Sequence, residues 1–189
     1  MCGRYAFYTD KELLEIHDIT EKVSNDIQHE KMKTGEIFPT DLVPVILEDN
    51  NLITPKLFTW GFPNFKNKGV IINARAETAH EKYMFKASLE ARRCIIPSTG
   101  FYECDKNKNK YIFNLPDSQV LYMAGLYNNF DGENRFVILT TNANASISEV
   151  HDRMPVVLPK TKLQDWLFSK HAARVILNET PPELIRQAV

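Results

Sequence analysis

Residues 111–141 read YIFNLPDSQVLYMAGLYNNFDGENRFVILTT, and this stretch decides the fold class. It contains three apolar runs of strand length, at 111–115, 120–127 and 135–141. Pro-Asp-Ser at 116–118 and Asp-Gly at 131–132 separate the runs, and these residue types favour tight reversals of the chain. The stretch therefore predicts two consecutive hairpins in an antiparallel sheet.

Further strands are predicted on both sides of this stretch, at 42–47, 53–60, 70–72, 94–102 and 156–158. Pro97 and Gly100 interrupt the strand at 94–102. Residues 24–40 are polar and show no periodicity, so we interpret them mostly as loop.

Helical patterns are short. Asp10 suits the N-cap of a first helix that continues through Leu13, Leu14 and Ile16. Further helices are predicted at 80–92, 162–168 and 182–188. Because the strands follow one another through turns rather than through helical crossovers, the sequence predicts an α+β fold. We expect one domain, residues 1–189, with a mainly antiparallel, barrel-like β structure and a few short flanking helices.

The composition of the 189-residue chain is that of an ordinary globular protein, with 43% hydrophobic and 25% charged residues. No apolar run approaches the roughly 20 residues that span a bilayer, and the amino terminus lacks a secretory pattern. We therefore expect a cytoplasmic protein that does not contact membranes. The formal net charge of −1 gives no support for nucleic-acid binding, so any DNA contact needs a local basic patch.

The three cysteines are Cys2, Cys94 and Cys104, an odd number without a C-x-x-C pair. This pattern argues against a disulfide framework and a structural zinc site, so we expect reduced thiols and no metal. We interpret Cys94 as a buried structural thiol. Lys106, Lys108 and Lys110 alternate with asparagine and are interpreted as a solvated turn, with DNA contact as the alternative.

Cys2 is the first candidate for chemistry, because aminopeptidases generally remove Met1 before a small residue. The product carries an α-amine and a thiol on one residue, with ordinary pKa values near 8 and 8.5. The amine can attack an aldehyde to give an imine, and the thiol can then close a five-membered thiazolidine ring. The alternative is a small residue in a mobile terminus.

Two polar side chains end the apolar run at 70–72. Period-two alternation places Asn73 and Arg75 on one face, where an amide and a guanidinium can hold a sugar and a phosphate. The alternative is a solvated strand end in which Arg75 pairs with Glu77. Arg4, close to Cys2, is a second candidate for phosphate contact.

Glu103 and His151 are candidates for proton transfer. Glu103 ends an apolar strand, where partial desolvation would raise the pKa of its carboxyl group. The reference pKa of a histidine side chain suits proton transfer near neutrality, which makes His151 a candidate. The alternatives are an exposed strand-end glutamate and a surface histidine. Trp60 precedes Gly61 and is interpreted either as a base-stacking residue or as a core aromatic.

These residues lie within segments that resemble the SRAP family, the SOS response-associated peptidases that shield abasic sites. The segments are spread in order over most of the chain. They are MCGRY at 1–5, WGF at 60–62, NARAET at 73–78, RRCIIP at 92–97, GFYE at 100–103, LTTNA at 139–143 and HDRMP at 151–155. Seven ordered matches are far more specific than any one of them.

The resemblance implies a protein that binds single-stranded DNA and crosslinks covalently to abasic sites. Cys2 would supply both the amine and the thiol, and Asn73 would orient the Cys2 terminus and the opened sugar. Glu103 would act as acid and base during ring opening and imine formation. His151 would lie beside the sugar-phosphate and assist proton transfer.

The resemblance also implies contacts to the DNA strand. Arg4 and Arg75 would hold flanking phosphates, Trp60 would pack against a base, and Thr141 would contact the backbone. A monomer without a cofactor, acting at the bacterial nucleoid, is expected. The sequence departs from the family where Cys104 follows the motif glutamate, a position that is usually tryptophan.

Other functions remain open on the sequence. Cys2, Glu103 and His151 also fit a cysteine peptidase, and in the simpler form of this alternative proteolysis is limited to the release of Met1 by the protein itself. Amidotransferases that hydrolyse glutamine also begin Met-Cys-Gly, but the chain offers no convincing Gly-rich oxyanion segment. A non-catalytic DNA-binding module would bind intact single strands in a salt-sensitive manner without a covalent product.

Overall fold

The computed structural model describes residues 2–10, 13–64 and 68–189. The predicted removal of Met1 and the predicted course of the first helix through residues 11 and 12 lie outside the described residues. In chain order the strands are β1 (Tyr5–Phe7), β2 (Gly35–Ile37), β3 (Leu42–Asp49), β4 (Leu52–Trp60), β5 (Phe62–Pro63), β6 (Val70–Ile71), β7 (Asn73–Arg75), β8 (Arg93–Ser98), β9 (Gly100–Cys104), β10 (Lys110–Asn114), β11 (Leu121–Phe130), β12 (Glu133–Asn142), β13 (Arg153–Pro155), β14 (Val157–Leu158) and β15 (Ile185–Ala188).

The helices are short. They are α1 (Leu14–Val23), α2 (Tyr83–Ala91), α3 (Leu163–Phe168) and α4 (Lys170–Ile176), with single 3₁₀ turns at His29–Lys31 and Lys160–Lys162. Within the described part of the chain, none of these helices has the length and apolar character that crossing a membrane requires.

Five strands form the core of a barrel. In the larger sheet the order is β13-β12-β4-β3-β8-β11-β14, and β7 pairs with β12. Because β11 also pairs with β12, the strands β12, β4, β3, β8 and β11 close into a ring. Most pairs are antiparallel, whereas β12 runs parallel to both β4 and β7. The predicted α+β class with a mainly antiparallel, barrel-like β structure is confirmed.

A second sheet of five strands carries the amino terminus. Its order is β15-β10-β9-β1-β2, and every neighbouring pair is antiparallel. The side of this sheet that packs inward holds Tyr5, Phe7, Phe101 and Phe113, all essentially without exposed surface. Burying each such ring contributes about 2 kcal/mol, so β1 and β9 are held firmly beside the barrel.

Of the two predicted hairpins at 111–141, one is confirmed. The turn at Asp131 and Gly132 joins β11 to β12, with Phe130 opposite Glu133. Both turn residues have positive φ, 52° and 89°, as a tight hairpin turn requires.

The other predicted hairpin, around 116–118, is wrong. Beyond an isolated bridge between Leu115 and Ser118, β10 and β11 do not pair. β10 joins β9 and β15 in the second sheet, whereas β11 joins the barrel. A local turn signal cannot reveal that the two flanking strands bury their apolar faces in different sheets.

The predicted helix at 182–188 is also wrong, because Ile185–Ala188 is the strand β15. A seven-residue helix has little stability in water, and the free edge of β10 offers an alternative. β15 pairs with β10 along its length, and the Val189 N–H donates to the Lys110 carbonyl at 3.0 Å. α4 was not predicted; its cap is Ser169, whose hydroxyl accepts from the Ala172 N–H at 3.1 Å.

Candidate active site

Cys2 precedes β1 and is fully buried. Its Sγ donates to the Arg4 carbonyl at 3.6 Å, and its own carbonyl accepts from Asn73 Nδ2 at 2.9 Å. Burial raises the pKa of the Cys2 thiol far above its ordinary value, and the nearby negative charge of Glu103 raises it further. Cys2 is therefore a fixed, protonated thiol and not part of a loosely held terminus.

Asn73 comes from β7, which runs parallel to β12 with Asn73 opposite Ile138. Ala74 is buried while Arg75 is exposed, so the predicted placement of Asn73 and Arg75 on one face is confirmed. The Nδ2 of Asn73 bonds Cys2, and its buried Oδ1 accepts no hydrogen bond from the described residues. The amide thus has one polar atom available beside Cys2.

Glu103 lies on β9 opposite Tyr111 and is only 7% exposed. It is therefore not the exposed strand-end glutamate of the alternative interpretation. Burial raises the pKa of its carboxyl group, and an electrostatic interaction with His151 opposes that rise. Glu103 thus interacts electrostatically with both Cys2 and His151, so the fold places these three residues close together although they are far apart in sequence.

His151 lies between β12 and β13. Its Nδ1 has two contacts at 2.9 Å, one with the Arg153 backbone N–H and one with Asp152 Oδ1. The backbone N–H can only donate, so Nδ1 is the acceptor and a neutral ring carries its proton on Nε2. The contact with Asp152 requires a protonated ring, and it contributes little because the Asp152 side chain is 87% exposed.

The segment that carries His151 is held by an ion pair between Arg153 and Glu77. Arg153 Nη1 and Nη2 donate to the two carboxylate oxygens of Glu77 at 2.7 and 2.9 Å. Nη2 also donates to the Thr140 carbonyl at 2.7 Å. Arg153 holds the pKa of Glu77 below its ordinary value. Glu77 therefore pairs with Arg153, and the alternative pair with Arg75 is wrong.

A family model described as SOS response associated peptidase (SRAP) matches residues 1–186. The chain belongs to the SRAP family. The abasic site processing protein YoqW of Bacillus subtilis is 33% identical over 90% of this chain and 82% of its own length. The abasic site processing protein YedK of Escherichia coli is 30% identical over 88% of this chain and 79% of its own length.

Solved structures show the same fold at lower identity. The crystal structure of a protein from Bacteroides thetaiotaomicron superposes with a TM-score of 0.80 at 22% identity. The match covers 100% of this chain and 92% of that one. A protein from Bordetella bronchiseptica gives a TM-score of 0.77 at 23% identity, covering 100% and 99% of the two chains.

The structure corrects the prediction that Trp60 of this SRAP chain contacts a base. Trp60 has no exposed surface, and its indole Nε1 donates to the Ile72 carbonyl at 3.0 Å. Its ring packs against Tyr5 and Phe136, with centroid distances of 5.3 and 6.3 Å. The core interpretation is therefore the correct one.

The other predicted DNA contacts lie at or near the surface. Arg75 is exposed and makes no ion pair within 4.0 Å to a described residue. The Thr141 hydroxyl donates to Glu77 at 3.4 Å. Their contacts with DNA remain predictions. No group of three potential metal ligands is found within 2–10, 13–64 and 68–189.

A cleft of about 300 Å³ lies beside Glu103 in this SRAP chain, lined by Gly3, Arg4, Tyr102, Glu103, Cys104 and Lys110. Cys104 is exposed at its rim. Glu36 was not predicted from the sequence, and Lys110 was predicted only as part of a lysine-rich turn with DNA contact as the alternative; the register of the second sheet places both near the cleft.

Proposed function

We propose that this SRAP chain binds single-stranded DNA and captures abasic sites as a covalent thiazolidine through Cys2, after Met1 has been removed. The observation that carries the proposal is the placement of Cys2. Asn73 holds the Cys2 backbone through a hydrogen bond, and the nearby carboxyl group of Glu103 is buried and has a raised pKa. The printed names of the relatives YoqW and YedK, abasic site processing proteins, agree with it.

The α-amine acts as the first nucleophile. The raised pKa of the buried thiol keeps it protonated at neutral pH, and a protonated thiol is a poor nucleophile. An α-amine has an ordinary pKa near 8, so a useful fraction is neutral. The nitrogen of Cys2 is an amide as long as Met1 is attached, and therefore the reaction requires removal of Met1.

Glu103 acts as the acid and base of the first steps. An abasic sugar is mostly a closed hemiacetal, so a base must accept the proton of the anomeric hydroxyl while an acid protonates the ring oxygen. The amine then adds to the aldehyde carbon, and an acid protonates the departing hydroxyl group so that water leaves. A carboxyl group whose pKa is raised by burial suits both roles near neutrality.

The thiol completes the reaction. Sγ adds to the imine carbon, and the thiol proton passes to the imine nitrogen, so the ring closes without loss of further atoms. His151, whose Nδ1 accepts from the Arg153 N–H, assists proton transfer near Glu103. Asn73 keeps the Cys2 backbone in place through the hydrogen bond to its carbonyl.

Arg4, Arg75 and Thr141 bind the strand on either side of the lesion through its phosphates. The crosslink shields the lesion during the DNA damage response, and the protein acts as a monomer in the cytoplasm, at the nucleoid. A peptidase that uses Cys2 as its nucleophile would need a thiolate, and the raised pKa of the thiol disfavours one. Proteolysis is then limited to the release of Met1.

The test is a denaturing gel. The protein, shown by mass to lack Met1, is mixed with a single-stranded oligonucleotide that contains one abasic site. We expect a band that survives denaturation and is absent for Cys2→Ala. Cys94→Ala is the matched control, because Cys94 is also fully buried and has a raised thiol pKa, and it should keep the band. A processed protein that gives no adduct would overturn the proposal.

A further inference from the structure

A single carboxylate joins two cations on the outer face of the second sheet. Glu36 Oε2 accepts from Arg4 Nη1 at 3.0 Å, and Glu36 Oε1 accepts from Lys110 Nζ at 2.8 Å. Lys110 and Arg4 hold the pKa of Glu36 below its ordinary value, so the carboxylate is charged at neutral pH. Each oxygen of Glu36 thus has its own cationic partner.

Strand register brings these residues together. Ala6 on β1 lies opposite Glu36 on β2, and Lys110 on β10 lies opposite Cys104 on β9. Arg4 joins β9 through its carbonyl, which accepts from the Tyr102 N–H at 3.0 Å. Lys110 and Arg4 therefore lie on opposite sides of β9, and hydrogen bonds to β9 hold both of their backbones in the sheet.

Each cation also rests on an aromatic ring. The Arg4 guanidinium lies 4.6 Å from the centroid of the Phe38 ring, and Lys110 Nζ lies 4.2 Å from that of Tyr102. These contacts do not depend on Glu36 and favour the same side-chain positions. The two cations would thus keep their places if the carboxylate swung away, and its side chain is one third exposed.

Both cations line the cleft that also contains Glu103. Since Glu103 contacts the opened sugar in the proposed reaction, the next phosphodiester of the same strand must pass through or beside this cleft. A phosphodiester presents two charged oxygens, as a carboxylate does, and guanidinium and ammonium groups bind both.

We infer that Arg4 and Lys110 form a binding site for a DNA phosphodiester, and that the Glu36 carboxylate occupies this site until the strand displaces it. The inference rests on the proposed function for the identity of the ligand. Glu36 weakens binding of intact single strands and leaves the chemistry at Cys2 untouched. A purely structural role for the three residues would instead make Glu36 irrelevant to DNA affinity.

The experiment measures fluorescence anisotropy of a labelled single-stranded oligonucleotide without any abasic site. Glu36→Gln should bind about five-fold more tightly, roughly the cost of breaking surface ion pairs. Glu36→Ala should change affinity in the same direction. The matched control is Asp49→Asn, which removes an equal charge from a carboxylate of similar exposure, paired with Lys56 at 2.6 Å on the barrel. It should change affinity less than about two-fold.

Lys110→Gln supplies a second readout. In the Glu36→Gln background, Lys110→Gln should cancel most of the gain in DNA affinity. It should also make the slope of log affinity against log salt about 0.7 less negative, as the loss of one phosphate contact requires. In the otherwise unchanged chain its effect should be smaller, because Lys110 is there engaged by Glu36. Equal effects in both backgrounds would contradict the displacement of Glu36.

The same proteins are then given the abasic oligonucleotide at saturating concentration. If adduct forms but Glu36→Gln changes affinity no more than Asp49→Asn does, the phosphate site is wrong and the proposed function stands. If no adduct forms but Glu36→Gln binds more tightly, the phosphate site stands and covalent capture is wrong. If neither occurs, both are wrong.

Discussion

Two ion pairs between arginine and glutamate flank the site, and they differ in the burial of the arginine, whereas both carboxylates are partly exposed. The Arg153 side chain is 9% exposed and also bonds the Thr140 carbonyl, so Glu77 neutralises a charge that water hardly reaches. The Arg4 and Glu36 side chains are each about one third exposed, and water can replace either partner. Because Arg153 is buried, its pair with Glu77 stabilises the fold, whereas the pair of Arg4 with Glu36 can open.

A third carboxylate extends the comparison. Arg153 lowers the pKa of Glu77, and Lys110 lowers that of Glu36, whereas burial raises the pKa of Glu103. The two paired carboxylates hold positive groups in place as fixed anions. The pKa of Glu103 is shifted in the opposite direction, toward neutral pH, which is the direction that acid-base chemistry needs.

The largest effect should come from breaking the ion pair between the buried Arg153 and Glu77. Glu77→Gln leaves the Arg153 guanidinium buried without its anion, and we expect a loss of about 2 kcal/mol in the free energy of unfolding. Urea denaturation measures it. Glu36→Gln is the control and should lose no more than about 1 kcal/mol, the upper end for exposed ion pairs. Equal losses would contradict the distinction between the two pairs.

A smaller effect is expected at Glu103. A carboxyl group whose pKa is raised on folding binds more protons in the folded state, so its contribution to stability falls as pH rises from the unfolded to the folded pKa. Glu103→Gln removes this cost and should raise the Tm at pH 7 by a few degrees. Thermal melts between pH 4 and pH 7 test this.

The gain should shrink toward pH 4, where the carboxyl group is protonated in both states. The same substitution should slow adduct formation without abolishing DNA binding. An unchanged rate would show that Glu103 is not the acid-base group. A gain in Tm that does not depend on pH would show that its charge is not the cause.

Local signals predicted the parts of the fold that are local. Asp131 and Gly132 define a hairpin on their own, because a two-residue turn with positive φ determines the pairing of its flanking strands. The turn at 116–118 sends its flanking strands into separate sheets, and β15 forms because β10 has a free edge. Such partners are distant in sequence, so no local pattern reveals them.

The sequence predicted Cys2, Asn73, Glu103 and His151 as site residues, mostly through the ordered resemblance. The structure brings them together but gives each an environment that the sequence did not determine. Burial of the Cys2 thiol and the raised pKa of Glu103 depend on packing between strands. At Trp60 the resemblance was misleading. It implied a contact with a DNA base, whereas the barrel buries this side chain completely.

The order of nucleophilic attack can be measured with borohydride. Cys2→Ala, processed to expose its α-amine, is mixed with the abasic oligonucleotide, and the mixture is run on a denaturing gel with and without the reductant. If the amine attacks first, this variant forms an imine that borohydride reduces to a stable amine. We expect an adduct with borohydride and none without it. The contrary result is that the chain with Cys2 forms the crosslink, whereas Cys2→Ala gives no adduct with or without borohydride. That result would show that the thiol attacks first.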